Sequence, residues 1–105
     1  MMLERQIEEL LRREVGKRGG LCVKFISPGN SGVPDRLVLL PDIAPYFIEL
    51  KAPGRKPRKL QVAMMRRIRD VNCLCGVAWL DSAEKIKGFM AYYDASKQGG
   101  RPHEI

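Results

Sequence analysis

The spacing of apolar residues changes along this chain from helical to strand-like, and this change limits the folds that the chain can adopt. Residues 3 to 18 carry apolar side chains at helical spacing, and Gly19 and Gly20 end this segment. Three short apolar segments follow, at residues 21 to 27, 35 to 40 and 46 to 51. Turn-forming Pro, Gly, Asn and Asp residues separate them. The pattern therefore predicts one helix and then three consecutive strands.

A second helix and a fourth strand follow. The helix covers residues from about 58 to 71, and the strand covers residues 75 to 80. Asp81 and Ser82 are suited to cap a third helix, from about 83 to 93. The predicted apolar stripe of the second helix consists of Leu60, Met64, Ile68 and Val71. A helix between the third and fourth strands indicates a right-handed crossover. We therefore expect an α/β fold with a mixed four-stranded sheet flanked by helices.

Composition and charge narrow the class of protein. The 105 residues fit one compact domain, and the formal net charge is +7. Such a basic chain favours a polyanionic partner, nucleic acid before an anionic membrane. The sequence has no apolar run of the roughly 18 residues that a membrane-spanning helix needs. Residues 1 to 13 alternate acids and bases, unlike a signal peptide. We therefore expect a cytosolic protein that does not bind membranes.

The cysteines favour neither a disulfide framework nor a zinc site. Cys22, Cys73 and Cys75 are an odd number of thiols, as is common in a reducing compartment. The closely spaced Cys73 and Cys75 and the single histidine, His103, fall short of the four ligands that a structural zinc site usually has.

The residues that carry chemistry lie on the second and third predicted strands. Asp35 opens the second strand, and Glu49 and Lys51 lie two positions apart on the third. Because side chains alternate along a strand, Glu49 and Lys51 share one face while Ile48 and Leu50 point into the core. Adjacent antiparallel strands can place Asp35 beside Glu49. Two carboxylates held so close repel each other unless a cation or a proton lies between them.

Oxygen ligands of this kind suit Mg²⁺ or Mn²⁺, and such a site can cut a phosphodiester bond. A bound metal lowers the pKa of water and neutralises charge on the phosphate. Lys51 can orient the attacking water or stabilise the pentavalent phosphorus. The plainer interpretation remains open: Asp35 ends a turn, and Glu49 and Lys51 lie on a solvated strand face.

The combined motifs resemble those of the PD-(D/E)XK nucleases, which share Pro34-Asp35 and then Glu49-Leu50-Lys51 on the next strand. Within that superfamily the chain is similar to the VRR-NUC domain, the virus-type replication-repair nuclease, over nearly its whole length. The matching segments are residues 24–29, 32–36 and 47–54, followed by Gln61. The resemblance implies a restriction-endonuclease-like core of order αβββαβ plus a C-terminal helix. It implies a nuclease domain at residues 1–94, with a mobile tail at 95–105.

The resemblance also implies roles for individual residues. Asp35, Glu49 and the main-chain carbonyl of Leu50 bind Mg²⁺ or Mn²⁺, and Lys51 acts on the nucleophile. A glutamate of the first helix lies near the metal and assists directly or through water. Glu4 matches best, because it shares a helical face with Ile7 and Leu11, and Glu8 is the alternative. Gln61 on the second helix helps to hold the active site.

A DNA-binding surface is expected around this site. The resemblance places Lys24 and Ser27 near the substrate, and Arg36 either contacts phosphate or neutralises its neighbours. The stronger candidates form a basic run after the third strand, which consists of Arg55, Lys56, Arg58 and Lys59. The sequence has no recognition-helix motif, so we expect recognition of backbone shape rather than of base sequence.

The leading hypothesis is a Mg²⁺- or Mn²⁺-dependent endonuclease that acts on Holliday junctions or other branched DNA in a bacterial cell or a phage-infected host. Junction-resolving relatives act as two-fold dimers, so we expect a homodimer, with Trp79 and Phe89 near a candidate interface. The alternatives are a non-catalytic DNA-binding module of the same fold and a nicking or restriction-type endonuclease. A basic ribosomal or membrane-surface protein is the least favoured, because it leaves the acid pair unexplained.

Overall fold

A computed structural model describes residues 2–98, which form a four-stranded sheet with helices on both of its faces. His103 and the other residues of 99–105 lie outside the described part of the chain. The elements in chain order are α1 (Glu4–Lys17), β1 (Leu21–Lys24), β2 (Arg36–Leu39), β3 (Tyr46–Leu50), α2 (Lys59–Val71), β4 (Gly76–Leu80) and α3 (Ala83–Gln98). The predicted order of helices and strands is therefore confirmed.

The sheet is mixed, as predicted. Its strand order is β1-β2-β3-β4, in which the first three strands form an antiparallel meander and β4 runs parallel to β3. The helix α2 forms the crossover between these two parallel strands. In this register Arg36 pairs with Ile48, and Glu49 pairs with Trp79. The register brings the start of β2 and the end of β3 to one edge of the sheet.

The main core lies between one face of the sheet and the helices α1 and α3. Ile7, Leu11 and Val15 of α1 are fully buried, which confirms the centre of the predicted stripe. Ile86 and Met90 of α3 complete this layer beside the buried strand residues. Within residues 2–98, no helix is both long enough and apolar enough to cross a membrane.

The helix α2 presents a different face to the sheet from the one that its apolar residues predict. Its buried side chains are Gln61 and Met65, while Leu60 is exposed and Val71 is 79% exposed. The predicted apolar stripe of α2 is therefore wrong as a buried face. The face of α2 that carries Gln61 turns toward the sheet because Gln61 donates a hydrogen bond to the buried Glu49.

Two element ends also differ from prediction. The helix α3 continues to Gln98 rather than residue 93, so residues 95–98 are helical and not part of a tail. Asp94 in this extension accepts two hydrogen bonds of 2.7 Å from Arg18, and the Tyr93 hydroxyl donates to the Pro41 carbonyl at 3.0 Å. The strand β1 ends at Lys24 rather than residue 27, because the chain then turns toward the loop before β2.

Candidate active site

Glu49 is a buried carboxylate at the end of β3. The strand alternation that sends Ile48 and Leu50 into the core directs Glu49 to the opposite face, where it is only 4% exposed. Its Oε2 atom accepts a hydrogen bond of 2.9 Å from Gln61 Nε2 and lies 3.3 Å from Lys51 Nζ. Its Oε1 atom is buried and has no hydrogen-bond partner within residues 2–98. One oxygen of this carboxylate thus has two partners, and the other is buried without a hydrogen bond.

Asp35 lies at the same edge of the sheet, directly before β2. Pro34, which precedes it, is fully buried and anchors the chain there. The Asp35 Oδ1 atom accepts a hydrogen bond of 3.4 Å from the main-chain N–H of Leu50, so its carboxylate reaches across to the neighbouring strand. The Oδ2 atom lies 3.0 Å from a guanidinium nitrogen of Arg36. The two strands therefore bring Asp35 and Glu49 together, as their positions in the sequence predict.

The electrostatics of the pair favour a further positive charge. Burial, and then the negative charge of Asp35, raise the pKa of Glu49 above its ordinary value, while Lys51 acts in the opposite direction. The folded protein thus disfavours the charged form of Glu49, which is the form that binds a cation. A cation bound between the two acids would relieve both effects.

The donor set fits a hard divalent cation such as Mg²⁺ or Mn²⁺. The unpartnered Glu49 Oε1 and the half-exposed Asp35 supply carboxylate oxygens, which these ions prefer. Within residues 2–98 no three His, Cys, Asp or Glu side chains converge closely enough to hold a metal by themselves. The rest of the coordination shell would therefore come from water and from main-chain oxygen, for which the Leu50 carbonyl is the predicted donor.

The two candidate acids of α1 have different surroundings. Glu8 forms an ion pair with the guanidinium of Arg36 and is committed to that contact. Glu4 is exposed and lines a cleft of about 350 Å³ with Lys51 and the basic loop that follows β3. This placement favours Glu4 over Glu8 as the acid facing the site. Because Glu4 does not converge with Asp35 and Glu49, the placement fits a contact through water rather than direct ligation.

Arg36 is a buried side chain that pairs with two acids. It is buried, and its guanidinium binds Glu8 on one side and the side chain and carbonyl of Asp35 on the other. The burial and the two ion pairs favour the predicted alternative, that Arg36 neutralises its neighbours, over a contact with phosphate. The burial of Arg36 could have been predicted from the sequence, because strand alternation puts Arg36 on the same face as the buried Val38.

Gln61 joins the start of α2 to the site. Its Oε1 atom accepts a hydrogen bond of 2.8 Å from the main-chain N–H of Arg58, while its Nε2 atom donates to Glu49. Gly32 supports this arrangement from the preceding loop, with a φ of +82°. A Cβ atom at Gly32 would lie 2.7 Å from the Leu60 carbonyl oxygen, so only glycine lets this loop rest on the helix start. The sequence alone does not predict this contact between Gly32 and the backbone of Leu60.

The remaining predicted DNA contacts lie at the end of β1, in the loop that follows it, and between β3 and the start of α2. Lys24 is exposed at the end of β1, and Lys59 is exposed at the first position of α2. Ser27 is half-buried, and its Oγ atom accepts a hydrogen bond of 3.1 Å from Asn30. Three further cations line the cleft beside Lys51: Arg55, Lys56 and Arg58.

Replacing Glu49 by Gln is expected to raise the melting temperature of the metal-free protein near neutral pH. The pKa of Glu49 is higher in the folded state than in the unfolded chain, so wild-type stability falls as pH rises through the folded-state pKa. The variant, which has no charge to bury, escapes this loss. The gap between the two melting temperatures should vanish well below about pH 4 and widen toward neutral pH.

Thermal denaturation over a pH series, in buffer with a chelator, measures this gap. Glu9→Gln, which removes an exposed acid of α1, is the control and should leave the curve unchanged. A Glu49→Gln protein that melts at or below the wild-type temperature near neutral pH would contradict the assigned cause.

Comparison with known proteins identifies relatives of this chain. No family model matches the chain. The chain is 48% identical over 68 residues to "Putative nuclease p44" of Acyrthosiphon pisum secondary endosymbiont phage 1, a match that covers 65% of this chain and 73% of that protein. A solved structure described as "VRR_NUC domain" superposes with a TM-score of 0.76 at 27% identity, covering 86% of this chain and 96% of the other. The chain belongs to the VRR-NUC family of nucleases.

Proposed function

We propose that this protein is a Mg²⁺- or Mn²⁺-dependent endonuclease that hydrolyses phosphodiester bonds in branched DNA, with the Holliday junction as its favoured substrate. The observation that carries the proposal is the acid pair beside Lys51, with one buried oxygen of Glu49 left without a hydrogen bond. A structural ion pair would use both oxygens of a buried carboxylate. An unused oxygen next to a second acid is what a metal ligand requires.

Each residue of the site has a defined part in the proposed reaction. Asp35 and Glu49 hold the cation, which when bound supplies the positive charge that acidifies a water and neutralises the phosphate. Lys51 lines the cleft with its ammonium group 3.3 Å from Glu49, and it orients the attacking water and stabilises charge on the phosphate. Gln61 fixes the carboxylate of Glu49, and Glu4, which lines the same cleft, positions water.

The basic cleft supports DNA as the substrate. Arg55, Lys56 and Arg58 line its wall beside Lys51, and phosphate contacts of this kind position a nucleic acid without reading its sequence. Discrimination between substrates then depends on DNA shape, and a branched molecule presents phosphates at angles that a linear duplex does not.

A homodimer is part of the proposal, because it would place two active sites on one junction. The second face of the sheet is largely uncovered over β1 and β2, where Leu39 is 39% exposed and pairs with the exposed Leu21. Phe47 joins these strands to a groove of about 250 Å³ along α2. The resulting open apolar surface consists of exposed and half-buried residues: Leu21, Val23, Leu37, Leu39, Met64, Ile68 and Val71.

This open apolar surface is a better candidate for the interface than the region of Trp79 and Phe89. Phe89 already packs edge-on against Tyr46 at 4.9 Å, and the ammonium of Lys85 lies 3.5 Å from the centre of the Trp79 ring. Those aromatic side chains are therefore used within one protomer. The exposed stripe of α2 has no equivalent partner within residues 2–98, and a second copy would cover it.

Replacing Gln61 by Glu is expected to lower the cleavage rate roughly 10- to 100-fold, because the hydrogen bond to the charged Glu49 is replaced by repulsion. Glutamate at this position still caps a helix well, so capping alone would be preserved. Gln6→Glu is the matched control, since the Gln6 side chain accepts a hydrogen bond from the main-chain N–H of Leu3 in the same way but lies exposed. Equal rates for both variants would contradict the role assigned to Gln61.

Cleavage of a labelled four-way junction and of its linear arms, with Mg²⁺, Mn²⁺ or EDTA, tests the proposed activity. The wild type should cut the junction only with metal, and Lys51→Ala should be roughly 100-fold slower or worse. Lys87→Ala removes an exposed lysine from α3 and should retain full activity. Cleavage of linear arms at an equal rate would favour a nicking or restriction-type enzyme. If the protein bound the junction but cleaved it with neither Mg²⁺ nor Mn²⁺, the result would favour a non-catalytic DNA-binding module.

Replacing Leu39 by Glu is expected to give monomers in sedimentation and to replace paired, symmetric junction cuts by single ones. In a dimer the added charge would be buried without a partner within the open apolar surface. Leu74→Glu, on the turn before β4, changes a leucine that is 75% exposed and lies outside that surface, and it is the control. A wild-type protein that sediments only as a monomer at micromolar concentration would refute the dimer.

A further inference from the structure

Ile26 is a highly exposed apolar side chain at the edge of the sheet that carries the acid pair. It is 78% exposed, and it directly follows Phe25, whose main-chain N–H donates a hydrogen bond of 2.9 Å to the carbonyl of Asp35. Isolated exposed apolar residues are common and by themselves indicate nothing. The position of Ile26 differs from theirs because its neighbour in the chain is bonded to an active-site residue.

The segment around Ile26 is held in place from both sides. The ring of Phe25 packs edge-on against Phe47 of β3, with the ring centres 5.5 Å apart. After Ile26 the chain forms a turn in which the Asn30 N–H donates to the Ser27 carbonyl at 3.2 Å. Farther along, Gly32 rests on the backbone of Leu60. The main chain on both sides of Ile26 is therefore fixed, which restricts the direction of its exposed side chain.

The exposed cations of this part of the protein suit a nucleic-acid ligand. Lys24 is exposed two residues before Ile26, and Arg55, Lys56 and Arg58 line the cleft beside Lys51. A strand whose scissile phosphate lies at Asp35 and Glu49 therefore has its neighbouring bases within reach of this segment. The side chain of Ile26 has no donor or acceptor with which to read a base edge. Branched apolar side chains act on DNA by entering between base pairs and unstacking them.

We propose that Ile26 is a wedge that enters the base stack beside the scissile phosphate and thereby selects branched DNA. At a branch point the stacking is already interrupted, so insertion costs less there than in a linear duplex. Ile26 is thus a specificity-determining residue, and it takes no part in the chemistry. The inference rests on the proposed nuclease function, but base unstacking can be measured without cleavage.

The test compares Ile26→Ala, Ile26→Leu and Leu74→Ala. Leu74 is 75% exposed and precedes β4 at the opposite edge of the sheet, so it matches Ile26 in exposure and not in position. A junction with aminopurine at the branch reports unstacking by fluorescence when it is bound by each variant in a Lys51→Ala background. Cleavage rates on the junction and on the linear duplex are measured separately in the background with Lys51 intact.

Ile26→Ala should abolish the fluorescence rise and lower the junction-to-duplex ratio of rates roughly tenfold, while Ile26→Leu and Leu74→Ala should behave like the parent. An unchanged fluorescence rise in Ile26→Ala would overturn the wedge. So would a change in sedimentation of that variant, which would assign Ile26 to the subunit contact. If the wild type cleaves no DNA at all, the nuclease proposal fails, whereas the fluorescence comparison still decides the wedge.

Discussion

The burial of one acidic side chain, Glu49, is the constraint on which the rest of the site depends. Its position on β3 follows from packing, because Ile48 and Leu50 on either side of it are core residues. Once it is buried, its carboxylate needs partners, and Gln61 and Lys51 serve only one of its oxygens. The protein therefore holds a buried carboxylate oxygen without a hydrogen bond where its proposed chemistry occurs. Functional sites commonly carry such a local cost, which the surrounding fold offsets.

Arg36 connects this site to the helix layer on the other side of the sheet. A buried guanidinium requires opposite charge, and it receives that charge from Glu8 on α1 and from Asp35 at the site. The position of α1 and the orientation of Asp35 are therefore coupled through one side chain. Since Glu8 is committed to this ion pair, only Glu4 is left facing the cleft. The ion pair between Arg36 and Glu8 thus leaves Glu4, rather than Glu8, beside the cleft.

The orientation of α2 shows how a polar contact can compete with apolar burial. Burying a leucine side chain stabilises a fold by about 1.5 to 3 kcal/mol, and a hydrogen bond to a charged group contributes a similar amount. In α2 the hydrogen bond of Gln61 prevails, while Leu60 and Val71 remain in solvent. The proposed dimer would remove this conflict, because the second protomer would cover the apolar stripe that the sheet does not.

The sequence by itself determined the order of helices and strands, the mixed sheet and the meeting of Asp35 with Glu49. These features follow from local periodicity and from strand alternation, which depend on neighbouring residues alone. Only the tertiary structure decided which face α2 buries, that Arg36 forms an ion pair with Glu8, and that α3 extends to Gln98. Each of these depends on contacts between residues distant in sequence, such as Arg18 with Asp94. A local pattern carries no information about partners that folding alone brings together.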